Sequence, residues 1–208
     1  MLIELLVPLL LGDTLRIGRV TACPDFDGEV SVSEYGAPSL EFPRAAGTIR
    51  VWVRQDSSSV YIAAAIPDST FYWGDDFVIS LDTHGDRASA PQHDDFQWYF
   101  RRVLDSSVVF RGDAGVWRAP RDDPDWRLGA DRQGGGWEVR SVSGDGGWSL
   151  ELRLDRAYFE ARQGRLPGMA FRVFDDDPQG WFSWPMPAGV KHPTEVERRP
   201  MLWAAISP

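Results

Sequence analysis

The sequence predicts an all-β fold: a two-sheet antiparallel β-sandwich of jelly-roll or immunoglobulin type with one short helix. Three observations lead there. Short runs of β-branched and aromatic residues recur along the chain, separated by Gly, Pro and Asp clusters. Several runs alternate apolar and polar residues, the signature of a half-buried strand. Only residues 155–163 carry both a helix start and a helix stop. With 208 residues, 43% of them apolar, the chain can bury a sizeable core in one domain. That domain is assigned to residues 24–208, and residues 1–23 are a separate N-terminal segment.

In residues 48–54 (TIRVWVR), Ile49, Val51 and Val53 face one way while Arg50, Trp52 and Arg54 face the other. Residues 60–66 are almost continuously apolar, as expected of a strand covered on both faces. A Pro-Asp turn follows, then the aromatic pair Tyr72 and Trp73, then a strand over 77–81. Phe96, Trp98 and Phe100 alternate with Gln97, Tyr99 and Arg101 in the next strand, and 107–111 form a shorter one. Residues 112–136 read as irregular loop with brief extended pieces around Trp117 and Trp126. Strands over 137–142 and 148–154 are joined by SGDGG, a hairpin signal, with Leu150, Leu152 and Leu154 pointing inward and Ser149, Glu151 and Arg153 outward. The helix over 155–163 takes Asp155 as its N-cap and Gly164 as its stop. Strands over 169–174 and 202–206 complete the fold.

Residues 2–11 (LIELLVPLLL) are far shorter than the roughly 20 apolar residues of a membrane span. Glu4 and Pro8 interrupt them and no positive region precedes them, so this segment reads as an N-terminal strand or as a degenerate secretion signal. The formal charge of −9 argues against nucleic acid and anionic membranes as partners. One cysteine, Cys23, permits no internal disulfide, and the absence of asparagine removes any N-glycosylation site. Of the ten tryptophans, most are expected in the core and two to four on the surface.

No nucleophile elbow, P-loop or dinucleotide fingerprint is present, and the chain reads as non-enzymatic. Acidic residues cluster at strand ends: Asp75 and Asp76 with Asp82 and Asp86, Asp94 with Asp95, and Asp175 with Asp176 and Asp177. Such carboxylates can hold calcium, for which Asp75, Asp76, Asp82, Asp175 and Asp176 are the candidates. His84, His93 and His192 match no fixed metal spacing and read as surface histidines.

In their order and spacing, four segments resemble the family 9 carbohydrate-binding modules and the wider DOMON-like sandwich group. They are Pro24-Asp25-Phe26-Asp27-Gly28 with Glu34-Tyr35; Val60 to Asp68; Trp73 with residues 76–82 and Asp95-Phe96-Gln97; and Gly147-Trp148-Ser149-Leu150-Glu151 followed by a late aspartate-rich strand and a tryptophan. The resemblance implies two tryptophans sandwiching a sugar: Trp73, with Trp184 as the better partner and Trp181 as the second choice. Tyr72, Gln97, Tyr99 and Arg101 would form the rim. An acid of the family motif is Ile79 here, and the family's asparagine has no counterpart. The same resemblance implies an extracellular or periplasmic setting, beside a separately made enzyme or a cell-surface protein. A second branch of the group resembles haem b electron-transfer subunits, in which a methionine and a lysine ligate haem. Lys191 would supply the lysine, with Met169, Met186 or His192 in the methionine's place. A third reading is a structural or protein-interaction domain with no small ligand.

Overall fold

The alternating segments all form strands, and the computed structural model describes residues 14–20, 22–72, 74–102, 107–119, 136–176 and 179–207. Fourteen strands are found among them: β1 (Leu15–Arg16), β2 (Gly18–Arg19), β3 (Leu40–Phe42), β4 (Ile49–Gln55), β5 (Ser59–Pro67), β6 (Asp76–Asp82), β7 (Asp95–Arg101), β8 (Val108–Asp113), β9 (Val116–Arg118), β10 (Trp137–Gly144), β11 (Gly147–Asp155), β12 (Gly168–Asp176), β13 (Gln179–Trp184) and β14 (Ala204–Ser207). One sheet runs β1-β14-β12-β6-β7-β8-β9, with β13 also paired to β12; the other runs β10-β11-β5-β4-β2, with β3 also paired to β4.

The inner faces carry the core. Leu150, Leu152 and Leu154 of β11 are fully buried, as are Ile49, Val51 and Val53 of β4 and Phe77, Ile79 and Leu81 of β6. Each such side chain contributes about 1.5–3 kcal/mol relative to exposure. The outer faces are partly covered too. Tyr35, from the short helix α1 (Val32–Tyr35), packs on Trp52, Tyr61 and Ala63. Val196, from α2 (Pro193–Glu197), packs on Ala170 and Trp203. This double cover explains the continuous apolar run of β5. It also moves Trp52, on the strand's arginine-bearing side, into a second small core, where its indole Nε1 donates to Gly36 O at 2.8 Å.

The sheets depart from the expected antiparallel arrangement in two places: β1 pairs parallel with β14, and β2 parallel with β4. The chain crosses from one sheet to the other between residues 16 and 18, leaving two-residue parallel edges. Leu15 and Ile17 join the core, so these residues belong to the fold, whereas the apolar run 2–11 lies outside the described residues.

The expected helix over 155–163 is a single 3-10 turn, Arg156–Phe159. Asp155 does cap it, accepting from Ala157 N at 2.8 Å. The chain then turns at Gln163 and Gly164, both with positive φ. Nine residues without an apolar stripe nucleate a helix poorly in water. The tryptophan expectation also changes. Among the described residues, Trp52, Trp98, Trp137, Trp148 and Trp203 are buried, while Trp117, Trp181 and Trp184 are half-buried. None of these eight is fully exposed.

Gly28 and Glu151 fix the N-terminal loop. Glu151 points away from the main core but is buried, accepting from Gly28 N at 2.7 Å and from the Tyr35 hydroxyl. Burial pushes its carboxyl above the usual range. At Gly28, φ is +95° and a Cβ would lie 2.8 Å from the Ser141 backbone, so only glycine fits.

Candidate functional site

The β5–β6 loop and the ends of β7 and β12 meet at one end of the sandwich. Arg102, at the end of β7, is buried there. Its NH1 donates to Asp68 Oδ2 at 2.9 Å and to Asp75 Oδ2 at 3.4 Å, and also to Thr70 O. Its Nε reaches Ser143 Oγ at 2.9 Å, and NH2 reaches Gly144 O at 3.0 Å. One guanidinium therefore ties the aromatic loop to the β10–β11 hairpin of the opposite sheet. Its face lies 4.9 Å from the Phe71 ring, which is exposed, as is Tyr72. Arg44, from the β3–β4 loop, bonds Asp175 and Pro67 O and stands 5.7 Å from the Phe182 ring.

Trp184 ends β13 on the inner side of its sheet. Its ring stacks on Phe171 at 5.8 Å and packs, half-buried, against the main core. Phe182 lies on the same side, and the β3–β4 loop brings Arg44 to Phe182 and Asp175, while Trp184 sits further along the strand opposite Phe171. Trp73 lies outside the described residues.

The proposed rim does not converge on Trp184. Phe96, Trp98 and Phe100 point inward, so Gln97, Tyr99 and Arg101 point to the outer face of the same sheet. Gln97 is 5% exposed and donates to Ser80 Oγ at 3.3 Å, so it lines no rim. Tyr99 donates to Asp76 Oδ2 at 2.5 Å, and burial beside that carboxylate pushes the phenol up to about 12. Arg101 lies over the Tyr99 ring at 5.3 Å. Trp181 shares this outer face: Arg172 sits 4.9 Å from its ring, bonds Asp76 at 2.6 Å and pairs with Glu197. Trp181 and Trp184 thus occupy opposite faces of β13, because they are three positions apart and strand side chains alternate.

The five calcium candidates do not form one site. Adjacent Asp75 and Asp76 diverge, Asp75 towards Arg102 and Asp76 towards Arg172. Asp176 is exposed. Asp82 stands at the far end of β6, seven residues or about 20 Å away. Two smaller acidic groups do form, each with oxygens within 4.8 Å of one another: Asp68 with Asp75 and Asp175, and Asp82 with Asp86 and Asp94. Arg44 and Arg102 already occupy the first. In the second, Asp82 accepts from Gly85 N at 2.6 Å and Arg87 N at 3.1 Å, and Asp86 from Ala88 N at 3.0 Å. Asp95 pairs with Asp82 across β6–β7 and leaves Oδ1 buried without a hydrogen bond. Burial, with Asp82, Asp94 and Asp86 nearby, pushes its carboxyl up to about 8.

The haem candidates do not fit an axial pair. Met169 is fully buried in the main core, whereas Lys191, Met186 and His192 are exposed. His192 caps α2 and packs edge-on to Trp181 at 4.9 Å.

The whole arrangement has known counterparts among solved structures. The chain is similar to a family 9 carbohydrate-binding module from Caldicellulosiruptor kristjanssonii in complex with glucose, at TM-score 0.57 and 17% identity, over 93% of this chain and 94% of that one. It is equally similar to a family 9 module from that organism in complex with cellotriose, at TM-score 0.56 and 16% identity, over 93% and 92% of the two chains. The fold is that of the family 9 carbohydrate-binding modules. No protein-family model and no curated protein matches the chain. The family 9 fold accounts for the order of the four segments read from the sequence. Arg44, Arg102 and Phe182 escaped that reading, because no spacing in the chain announces contacts made across two sheets.

Proposed function

We propose that this protein is a non-catalytic carbohydrate-binding module that holds a sugar between Trp73 and Trp184. The observation carrying this reading is the family 9 fold combined with Trp184 left partly exposed on the edge strand β13. A flat indole face suits the C–H face of a pyranose. Exposed Phe71 and Tyr72, which precede Trp73 in the chain, add apolar surface. In this reading Tyr99, Arg101 and Trp181 brace the outer face. The module acts outside the cytoplasm, beside a separate enzyme or a cell-surface protein. A calcium ion is assigned to Asp82, Asp86 and Asp94, whose oxygens suit a hard cation. It would order the β6–β7 loop.

Tryptophan fluorescence titrated with glucose, cellotriose and other neutral oligosaccharides tests the sugar reading. A saturable change is expected, weakened at least about tenfold, or about 1.4 kcal/mol, in Trp184→Ala and in Trp73→Ala. No response to any glycan would leave a sandwich that serves protein contacts. Calcium is tested by thermal unfolding with the ion and with chelator: a higher midpoint in calcium, lost in Asp82→Asn, is the expected result.

A further inference from the structure

At the end of the sandwich opposite Tyr72 lies a cavity of about 430 Å³ that the proposed sugar grip does not use. The start of β7, the middle of β8 and the turn after β11 border this open cleft. The length of β6, seven residues or about 20 Å, separates the two ends. The cavity falls within the roughly 300–1,000 Å³ typical of small-ligand sites.

Its apolar wall is built and braced. Phe96 and Tyr158 meet edge to face at 5.4 Å and 86°. Trp98 backs both, 5.8 Å from Phe96 and 5.9 Å from Tyr158, so the wall is anchored in the core. Polar groups of both kinds surround it. Arg111 lies over the Phe96 ring at 5.2 Å and donates through Nε to His93 O at 2.6 Å. Arg162 NH1 contacts His84 Nε2 at 3.0 Å, and His84 Nδ1 stands 3.4 Å from Asp94 Oδ2. Asp94 Oδ2 has no hydrogen-bond partner. Two guanidiniums, Arg111 and Arg162, and two carboxylates, Asp94 and Asp155, line it, so it offers hydrogen-bond donors and acceptors.

An aromatic wall ringed by donors and acceptors suits a neutral ligand with one apolar face and many hydroxyls. We propose that this cavity is a second saccharide site, which makes the module bivalent. The proposal rests on the sugar-binding reading for its ligand class, but on different residues. Two sites lined by different residues engage separate chains, so binding to a polysaccharide surface gains avidity over binding to a soluble fragment.

Isothermal titration with glucose and cellotriose decides the matter, comparing the natural protein with Arg162→Ala, Tyr158→Ala and Trp184→Ala. Arg162 is exposed, so Arg162→Ala keeps the test sound if Tyr158→Ala fails to fold. Two sugars bound per chain, falling to one in Arg162→Ala or Tyr158→Ala and to the other one in Trp184→Ala, is the expected result. The affected site should weaken at least tenfold. One sugar per chain, lost in Trp184→Ala and unchanged in Arg162→Ala, would overturn the second site and leave the first standing. One sugar lost only in Arg162→Ala and Tyr158→Ala would uphold the cavity and overturn the tryptophan grip. No heat with any neutral sugar would overturn both.

Discussion

At the Tyr72 end of the sandwich, Asp68, Asp75 and Asp175 lie among the guanidiniums of Arg102 and Arg44. At the far end, Asp82, Asp86 and Asp95 are held by backbone amides of Gly85, Arg87, Ala88 and Gln92. Both ends bury carboxylates, but they meet the cost of desolvation differently. A guanidinium brings a full positive charge and several donors in a fixed plane. A backbone amide brings one donor and a partial charge. The first end is therefore a rigid cross-link between sheets, able to position Phe71 and Tyr72. The second keeps carboxylate charge that a proton or a cation can still neutralise, and Asp95 raised to about 8 reflects that.

Removing the cross-link should have the largest effect. Arg102→Ala leaves Asp68 and Asp75 buried without their cation, and the expected loss is about 3–5 kcal/mol in denaturant unfolding. A loss below about 1 kcal/mol would mean that water replaces the guanidinium, and the contrast between the ends would dissolve.

The far end should show its difference through pH. An unfolded aspartate titrates near pH 4, whereas folded Asp95 titrates near about 8. Between those values the folded state holds more protons, so this group's contribution to stability falls as pH rises from about 4 to about 8. Unfolding midpoints of chelator-treated protein at pH 6 and pH 8.5 should show that fall, and Asp95→Asn should flatten it. Equal slopes in the natural protein and the variant would show that another group governs the pH response.

The smallest effect sharpens the comparison by its absence. Arg50 and Glu41 form an exposed pair at 3.1 Å. Arg50→Ala should change stability by less than about 1 kcal/mol, since solvent screens the pair and its side chains lose entropy in forming it. A large effect would show that exposure does not separate the buried lattice from ordinary surface pairs.

Much of the architecture was legible in the chain. The alternation of Phe96, Trp98 and Phe100 with Gln97, Tyr99 and Arg101 marked a strand with two distinct faces, and the structure turns the first three towards the core. The SGDGG turn and the leucines of β11 are equally local signals. The site was less legible for the same reason that the strands were clear. Period-two alternation says which residues share a face of one strand, but not which strands are neighbours. Gln97 and Trp184 were therefore grouped by their order in the family pattern, although the sheet places them on opposite faces. The helix over 155–163 failed differently: Asp155 caps the turn as expected, but with no stripe to bury the turn ends at Phe159, well before Gly164.

The sequence by itself determined most of the longer strands, the inward leucines of β11, the Asp155 cap, the SGDGG turn and the four segments that resemble the family 9 modules. Each depends on near neighbours in the chain, where sterics and alternation act within a few residues. The tertiary structure alone decided that Arg102 joins two sheets, that α1 and α2 bury outward residues such as Trp52, and that a cavity opens beside Tyr158. These depend on which distant segments meet, and charge pairing and burial across that distance leave no periodic trace in the sequence.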